Sequence, residues 1–118
     1  MTAFQVRTCE IGKTVVLEAI GKLTLTEGRT NIRDTIHVLS ASGHKRFVLN
    51  LAKVETIDSY GIGELARSYS VVRQMGGGMK LAAVSERVLK ALEISRLNTI
   101  FEIYPNESEA IGAFESGA

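Results

Sequence analysis

The segment TIDSYGIGEL, residues 56–65, joins an apolar run to the start of a helix. The run before it is FVLNLA, residues 47–52, which is apolar on both faces except at Asn50, as in a central strand covered on both sides. After it, from about residue 61 to 75, apolar side chains recur at helical spacing at Ile62, Leu65, Ala66, Tyr69 and Val72. A buried strand followed by an amphipathic helix indicates one unit of an α/β fold.

The same alternation continues on both sides of this unit. Further strands are predicted over residues 4–10, 15–20, 79–84 and 99–104, and further helices after the capping residues Thr24 (with Glu27 at capping-box spacing), Ser85 and Asn106. The order predicts an α/β fold with a mixed, largely parallel sheet of 4–5 strands and about four helices. We expect a single domain over residues 1–118, with a core from about 4 to 114.

Composition and charge exclude several functions. The chain carries 14 basic and 13 acidic residues without a basic block, so no nucleic-acid partner is expected. It has no charged-then-apolar leader and no apolar run near the ~20 residues of a membrane span, so we expect a cytoplasmic location without membrane insertion.

The lone Cys9 is predicted to be buried in a strand, and no Cys/His spacing predicts a metal site. No cofactor is predicted.

Ser59 lacks the surroundings of a catalytic nucleophile. Only His37 and His44 could serve as imidazole bases, and one is predicted within a helix while the other lies in a polar turn. The residues around Ser59 do not form the G-x-S-x-G pattern. We therefore predict no catalytic residues and no enzymatic activity.

Residues 61–66, GIGELA, formally match the dinucleotide-binding pattern G-x-G-x-x-[GA], with Glu86 about 20 residues further on. Two features oppose this interpretation: a long loop between Ala52 and Gly61, and a chain too short for two mononucleotide-binding halves. The alternative is that Gly61 and Gly63 let the helix lie close to neighbouring backbone. We favour that alternative.

Ser59 then has two possible roles at the start of the helix. Asp58 or Ser59 caps the helix, since both residue types do this well. Alternatively, Ser59 is a phosphate acceptor, and its phosphate adds about −1.5 to −2 charge beside Asp58 without unfolding the domain. The residues alone leave both roles open.

The segment from Ile57 to Gly63 after the strand at 47–51 resembles the STAS domain family, and more narrowly the bacterial anti-sigma factor antagonists. Further matching segments are GGGMKL at 76–81, the helix from Ser85, and LEISRL at 92–97. The resemblance covers about residues 4–114. It implies a STAS fold.

The resemblance also implies a partner-switching function. In this family the serine after the acid, here Ser59, is phosphorylated by an anti-sigma factor that is a serine kinase, and a serine phosphatase removes the phosphate. The unphosphorylated antagonist binds the anti-sigma factor, which frees the sigma factor for transcription. The resemblance therefore implies a contact surface for the partner, comprising Asp58, Ser59, Tyr60, Gly61, Ile62 and Gly63.

Two positions depart from the family pattern. Tyr60 stands where Ser or Thr is common, and residues 22–25, KLTL, contain no acid where many members carry one.

An alternative to partner switching is a constitutive STAS adaptor or scaffold of a transporter or signalling complex, in which Ser59 is only a cap. A weak nucleotide-binding domain is a third interpretation.

Overall fold

The helices of the molecule pack on the two faces of one five-stranded sheet. The computed structural model describes residues 4–26 and 31–116. The strands are β1 (Gln5–Ile11), β2 (Thr14–Leu23), β3 (Arg46–Ile57), β4 (Gly78–Ala82) and β5 (Glu102–Tyr104). The helices are α1 (Asn31–Ala41), α2 (Ser59–Gln74), α3 (Glu86–Ile94) and α4 (Glu107–Ser116), with a short 3-10 turn at Leu97–Thr99.

The strands lie side by side in chain order, β1-β2-β3-β4-β5. The first pair is a hairpin and therefore antiparallel, whereas β2, β3, β4 and β5 all run parallel to one another. This arrangement confirms the predicted mixed, largely parallel sheet with about four helices. Parallel strands bring their carboxyl ends to the same edge of the sheet, and the segment after β3 emerges there.

Strand β3 is covered on both faces, as its continuous apolar run predicts. Phe47 and Leu49 belong to the larger core cluster, which packs against α1, α2 and α3. Val48, between them, packs in a smaller cluster with Ala110 and Ile111 of α4. The alternation follows from the period of two along a strand, so consecutive side chains enter the two clusters in turn.

Strands β2 and β3 extend further than predicted. β3 continues to Ile57 instead of residue 52, because Val54 is buried and pairs with Gly21 across a local shift in register. The side chain of Asn50 accepts a hydrogen bond from the Ala52 N–H near this shift. The predicted long loop before Gly61 is therefore wrong, since Asp58 alone separates β3 from α2. Loop length no longer argues against dinucleotide binding.

The predicted burial of Cys9 is wrong, whereas two of the predicted helix starts are confirmed. Cys9 lies in a strand as predicted but is exposed, because β1 is an edge strand whose two faces are largely uncovered. Ser85 and Asn106 accept hydrogen bonds from Val88 N–H and Glu109 N–H, so both predicted helix starts are confirmed. Thr24 lies in a bend, and Glu27 of the predicted capping box lies outside the described residues.

Strands β4 and β5 are shorter than predicted. β4 ends at Ala82, since Ala83 adopts a positive φ of 57° that breaks the extended chain. β5 begins at Glu102, because the residues before it form the 3-10 turn and its exit. These differences leave the order of elements unchanged.

Candidate functional site

Asp58 ties two loops together at the carboxyl edge of the sheet. It is the N-cap residue of α2, and its Oδ1 accepts a hydrogen bond from the Gly61 N–H at 3.0 Å. Its Oδ2 accepts a second bond at 3.1 Å from the N–H of Leu25, which follows β2. Both carboxylate oxygens therefore accept a hydrogen bond from a backbone donor, which suits an acid at a helix N-terminus.

Ser59 is the first residue of α2 and is exposed. Its hydroxyl forms no hydrogen bond with the described part of the chain. The cap of α2 is Asp58, so the interpretation of Ser59 as the helix cap is wrong. The helix begins two residues earlier than predicted because Asp58, with an extended backbone, caps it at that point.

The two glycines of the segment serve different local purposes. Gly61 is buried, and a Cβ there would overlap the carbonyl oxygen of Leu23 and the side chain of Ile57. Gly63 is half-buried, and a Cβ there would lie 3.0 Å from the guanidinium of Arg67. Close approach to neighbouring backbone therefore explains Gly61, as the alternative to a nucleotide site predicts, whereas the neighbour of Gly63 is the end of a flexible side chain and gives no such explanation.

Tyr60 and Ile62 are each half-buried. Ile62 packs against the larger core cluster. Of the six predicted site residues, only Asp58 and Ser59 are exposed. The part of the predicted contact surface that solvent reaches most freely is therefore centred on these two.

Sequence reasoning missed a buried carboxylate on α2. Glu64 is 2% exposed and pairs with Arg33 of α1, whose Nε lies 3.2 Å from Oε2. A second guanidinium, that of Arg67, lies 3.5 Å from Oε1. Within the described residues neither Glu64 oxygen accepts a hydrogen bond of good geometry, and the two guanidinium groups are the charges that compensate the buried carboxylate.

The burial pattern of α2 explains why Glu64 was missed. Its buried positions are Gly61, Glu64, Leu65, Ser68 and Val72, which follow helical spacing. Three of these five are not apolar. The apolar stripe predicted from the sequence therefore included the half-buried residues Ile62, Ala66 and Tyr69 in place of Gly61, Glu64 and Ser68.

The described residues hold no group of three or more His, Cys, Asp and Glu side chains that could bind a metal ion. Within the same residues, no helix has the length and hydropathy needed to cross a bilayer. His37 is exposed on α1, and His44 lies 3.7 Å from the Glu10 carboxylate. The arrangement at Asp58 and Ser59 presents a carboxylate and a hydroxyl to solvent.

Residues 5–110 match the STAS domain family, and the chain belongs to that family. The chain is also similar to the anti-sigma F factor antagonist of Paenibacillus polymyxa, with 34% identity over 71 residues. That alignment covers 60% of this chain and 61% of the relative, so the chain spans about three fifths of the length of the curated relative it matches.

Solved structures share the fold. An anti-sigma factor antagonist from Mycobacterium paratuberculosis has a TM-score of 0.83 at 19% identity, covering 94% of this chain and 93% of that one. The Bacillus cell fate determinant SpoIIAA in its phosphorylated form has a TM-score of 0.72 at 24% identity, covering 95% and 99%. At these identities the structural likeness establishes the fold.

Proposed function

We propose that this chain is an anti-sigma factor antagonist whose binding is controlled by phosphorylation of Ser59. Unphosphorylated, it binds an anti-sigma factor of the serine-kinase type in the cytoplasm and so releases a sigma factor for transcription. Phosphorylation by that partner ends the binding, and a serine phosphatase restores it. ATP binds to the partner, and this chain acts as ligand and substrate without catalysing a reaction.

The observation that carries this proposal is that Asp58, and not Ser59, makes the hydrogen bonds at the start of α2. Asp58 satisfies the helix start and the Leu25 N–H with its own two oxygens. Ser59 is exposed and takes no part in those contacts. A kinase can therefore modify the hydroxyl without breaking a bond on which the fold depends.

Electrostatics favour a switch that leaves the fold intact. A phosphate on Ser59 adds about −1.5 to −2 charge at pH 7. Its position at the first residue of α2 places it near the positive end of the helix dipole, which stabilises an anion. A partner that covers Ser59 must instead desolvate this charge next to Asp58, which opposes binding. SpoIIAA, which shares the fold, has been solved in phosphorylated and unphosphorylated forms.

The test uses three baits in a lysate of the organism that encodes the chain: Ser59→Ala, Ser59→Asp and Ser70→Asp. Ser70 is also an exposed serine of α2, so Ser70→Asp controls for added charge on the same helix. We expect Ser59→Ala and Ser70→Asp to capture a kinase-type anti-sigma factor, identified by mass spectrometry, and Ser59→Asp to capture none.

Capture of the same partner by all three baits would contradict the switch and favour a constitutive adaptor. Nucleotide binding makes a separate prediction, namely a rise in the melting temperature at millimolar nucleotide. We expect no such rise, since close packing against Leu23 and Ile57 accounts for Gly61, the first glycine of the pattern.

A further inference from the structure

The segments that follow β2 and β3 leave the sheet side by side. Leu23 and Ile57 form the last pair between these parallel strands. Leu25 and Ser59 each follow two residues later in their own segments. The parallel register therefore places Leu25 next to the segment that carries the proposed phosphorylation site.

A hydrogen bond fixes this neighbourhood. The Leu25 N–H donates to Asp58 Oδ2 at 3.1 Å, so the backbone of Leu25 lies against the residue that precedes Ser59. The Leu25 side chain is 54% exposed, and few large apolar side chains of the described residues are as exposed as this one. A side chain on an anchored backbone loses less conformational freedom on binding than one on a free loop.

We propose that Leu25 is the apolar anchor of the partner surface, and that the anti-sigma factor buries it in an apolar pocket directly beside Ser59. This inference rests on the proposed function and adds the residue that supplies the binding energy. Burial of a large apolar side chain is favourable, and contacts of this kind at the centre of an interface dominate affinity. Residues 22–25 contain no acid, so an apolar pocket on the partner would meet no negative side chain from this segment.

The position of Leu25 also explains why phosphorylation would act strongly. A pocket that encloses Leu25 excludes water from its surroundings, which include Asp58 and Ser59. A phosphate on Ser59 would then lie beside an apolar contact next to a carboxylate, and both charges would need to lose water. Partner release follows from desolvation and like-charge repulsion, without any change of fold.

Val38 provides a matched control. It is 65% exposed, so it too is a large apolar side chain in solvent. It lies three residues before the end of α1, which leads to the amino end of β3. Val38 is thus near the opposite edge of the sheet from Leu25.

The experiment titrates the anti-sigma factor captured by the Ser59→Ala bait, made as a purified protein, with variants of this chain by calorimetry. We expect Leu25→Ala to weaken binding about tenfold or more, Leu25→Met by less than about threefold, and Val38→Ala by less than about twofold. Melting temperatures of all three variants should match wild type, because both positions are exposed.

Each outcome separates the two proposals. If Leu25→Ala binds within about twofold of wild type while Ser59→Asp does not bind, the Leu25 inference is overturned and the switch stands. If Leu25→Ala weakens binding but Ser59→Asp does not, the switch fails and the surface stands. If the baits capture no anti-sigma factor, both proposals fall.

Discussion

Asp58 and Glu64 are two carboxylates six residues apart in the same segment, and they are held in opposite ways. Asp58 is exposed and accepts hydrogen bonds from two backbone N–H groups. Glu64 is 2% exposed and is matched by guanidinium groups at 3.2 and 3.5 Å without a well-formed hydrogen bond. Asp58 joins two segments at the surface, and Glu64 joins α2 to α1.

The difference shows where a buried charge constrains the molecule. The partners of Asp58 are the backbone N–H groups of Leu25 and Gly61, which do not depend on the side chains at those two positions. Glu64 depends on Arg33, a side chain of another helix, and a buried carboxylate that loses its partner is costly. Removing a partner of Glu64 should therefore lower stability, whereas replacing the exposed side chains of Ser59 and Leu25 should change stability little.

The largest effect is expected from Arg33→Met. Removing this partner leaves Glu64 buried with only the more distant Arg67, and we expect the free energy of unfolding to fall by about 2–3 kcal/mol in urea denaturation. Arg67→Met is the matched control: its side chain is 51% exposed, so the loss should stay below about 1 kcal/mol.

The double variant Arg33→Met with Glu64→Met sharpens this prediction. Replacing both charges with apolar groups of similar size should restore stability to within about 1 kcal/mol of wild type. Additive losses in the double variant would show that the ion pair is not what makes Arg33 necessary.

A smaller effect is expected from Asp58→Ala. The change removes the cap of α2 and the acceptor for Leu25 N–H, so the free energy of unfolding should fall by about 2 kcal/mol. Asp58→Asn keeps one acceptor oxygen and should lose about half as much. Wild-type stability in Asp58→Ala would mean that solvent replaces both hydrogen bonds at no cost.

Ser59 and Ser85 form a matched pair of serines at helix starts. Ser85 caps α3 by accepting a hydrogen bond from Val88 N–H, so Ser85→Ala should lower stability by about 1 kcal/mol. Ser59 is not a cap, so Ser59→Ala should change stability by less than about 0.5 kcal/mol. Equal losses in thermal denaturation would return Ser59 to a structural role.

Glu102 is a third carboxylate, with the smallest expected effect. Hydrogen bonds from Lys80, at 2.7 Å, and from Tyr104 lower its pKa below the ordinary value of 4.5. A lowered pKa in the folded state means that the carboxylate stabilises the fold above pH 4.5, and that this stabilisation is lost as the pH falls through the folded value.

The measurement compares Glu102→Gln with wild type in urea from pH 3 to pH 7. We expect a small stability gap that is constant at the upper end and closes as the pH falls below 4.5. A gap that does not change with pH would show that the charge of Glu102 is irrelevant.

The sequence was a good guide to elements that depend on local chemistry. Apolar runs mark the strands, and the short-range caps at Ser85 and Asn106 mark two helix starts. The limits of β2 and β3 were not predictable, because they depend on pairing between residues more than thirty apart, as between Gly21 and Val54. Local patterns cannot report such pairing.

The site divides in the same way. Asp58 as a possible cap followed from residue type and position alone. Its bond to Leu25 and the Glu64–Arg33 pair each join residues on separate elements, so neither leaves a local signal. Periodicity also fails where a buried stripe contains Glu and Ser, since it searches only for apolar side chains.

The most direct test of the central claim compares two forms of the chain that differ by one phosphate. Phosphoserine is incorporated at position 59 during synthesis, and both forms are titrated with the purified anti-sigma factor, while their melting temperatures are recorded. We predict that phosphorylation weakens binding by about 100-fold or more and leaves the melting temperature nearly unchanged. Equal affinities of the two forms, or a phosphorylated chain that unfolds, would contradict the proposal that Ser59 switches a surface on an intact fold.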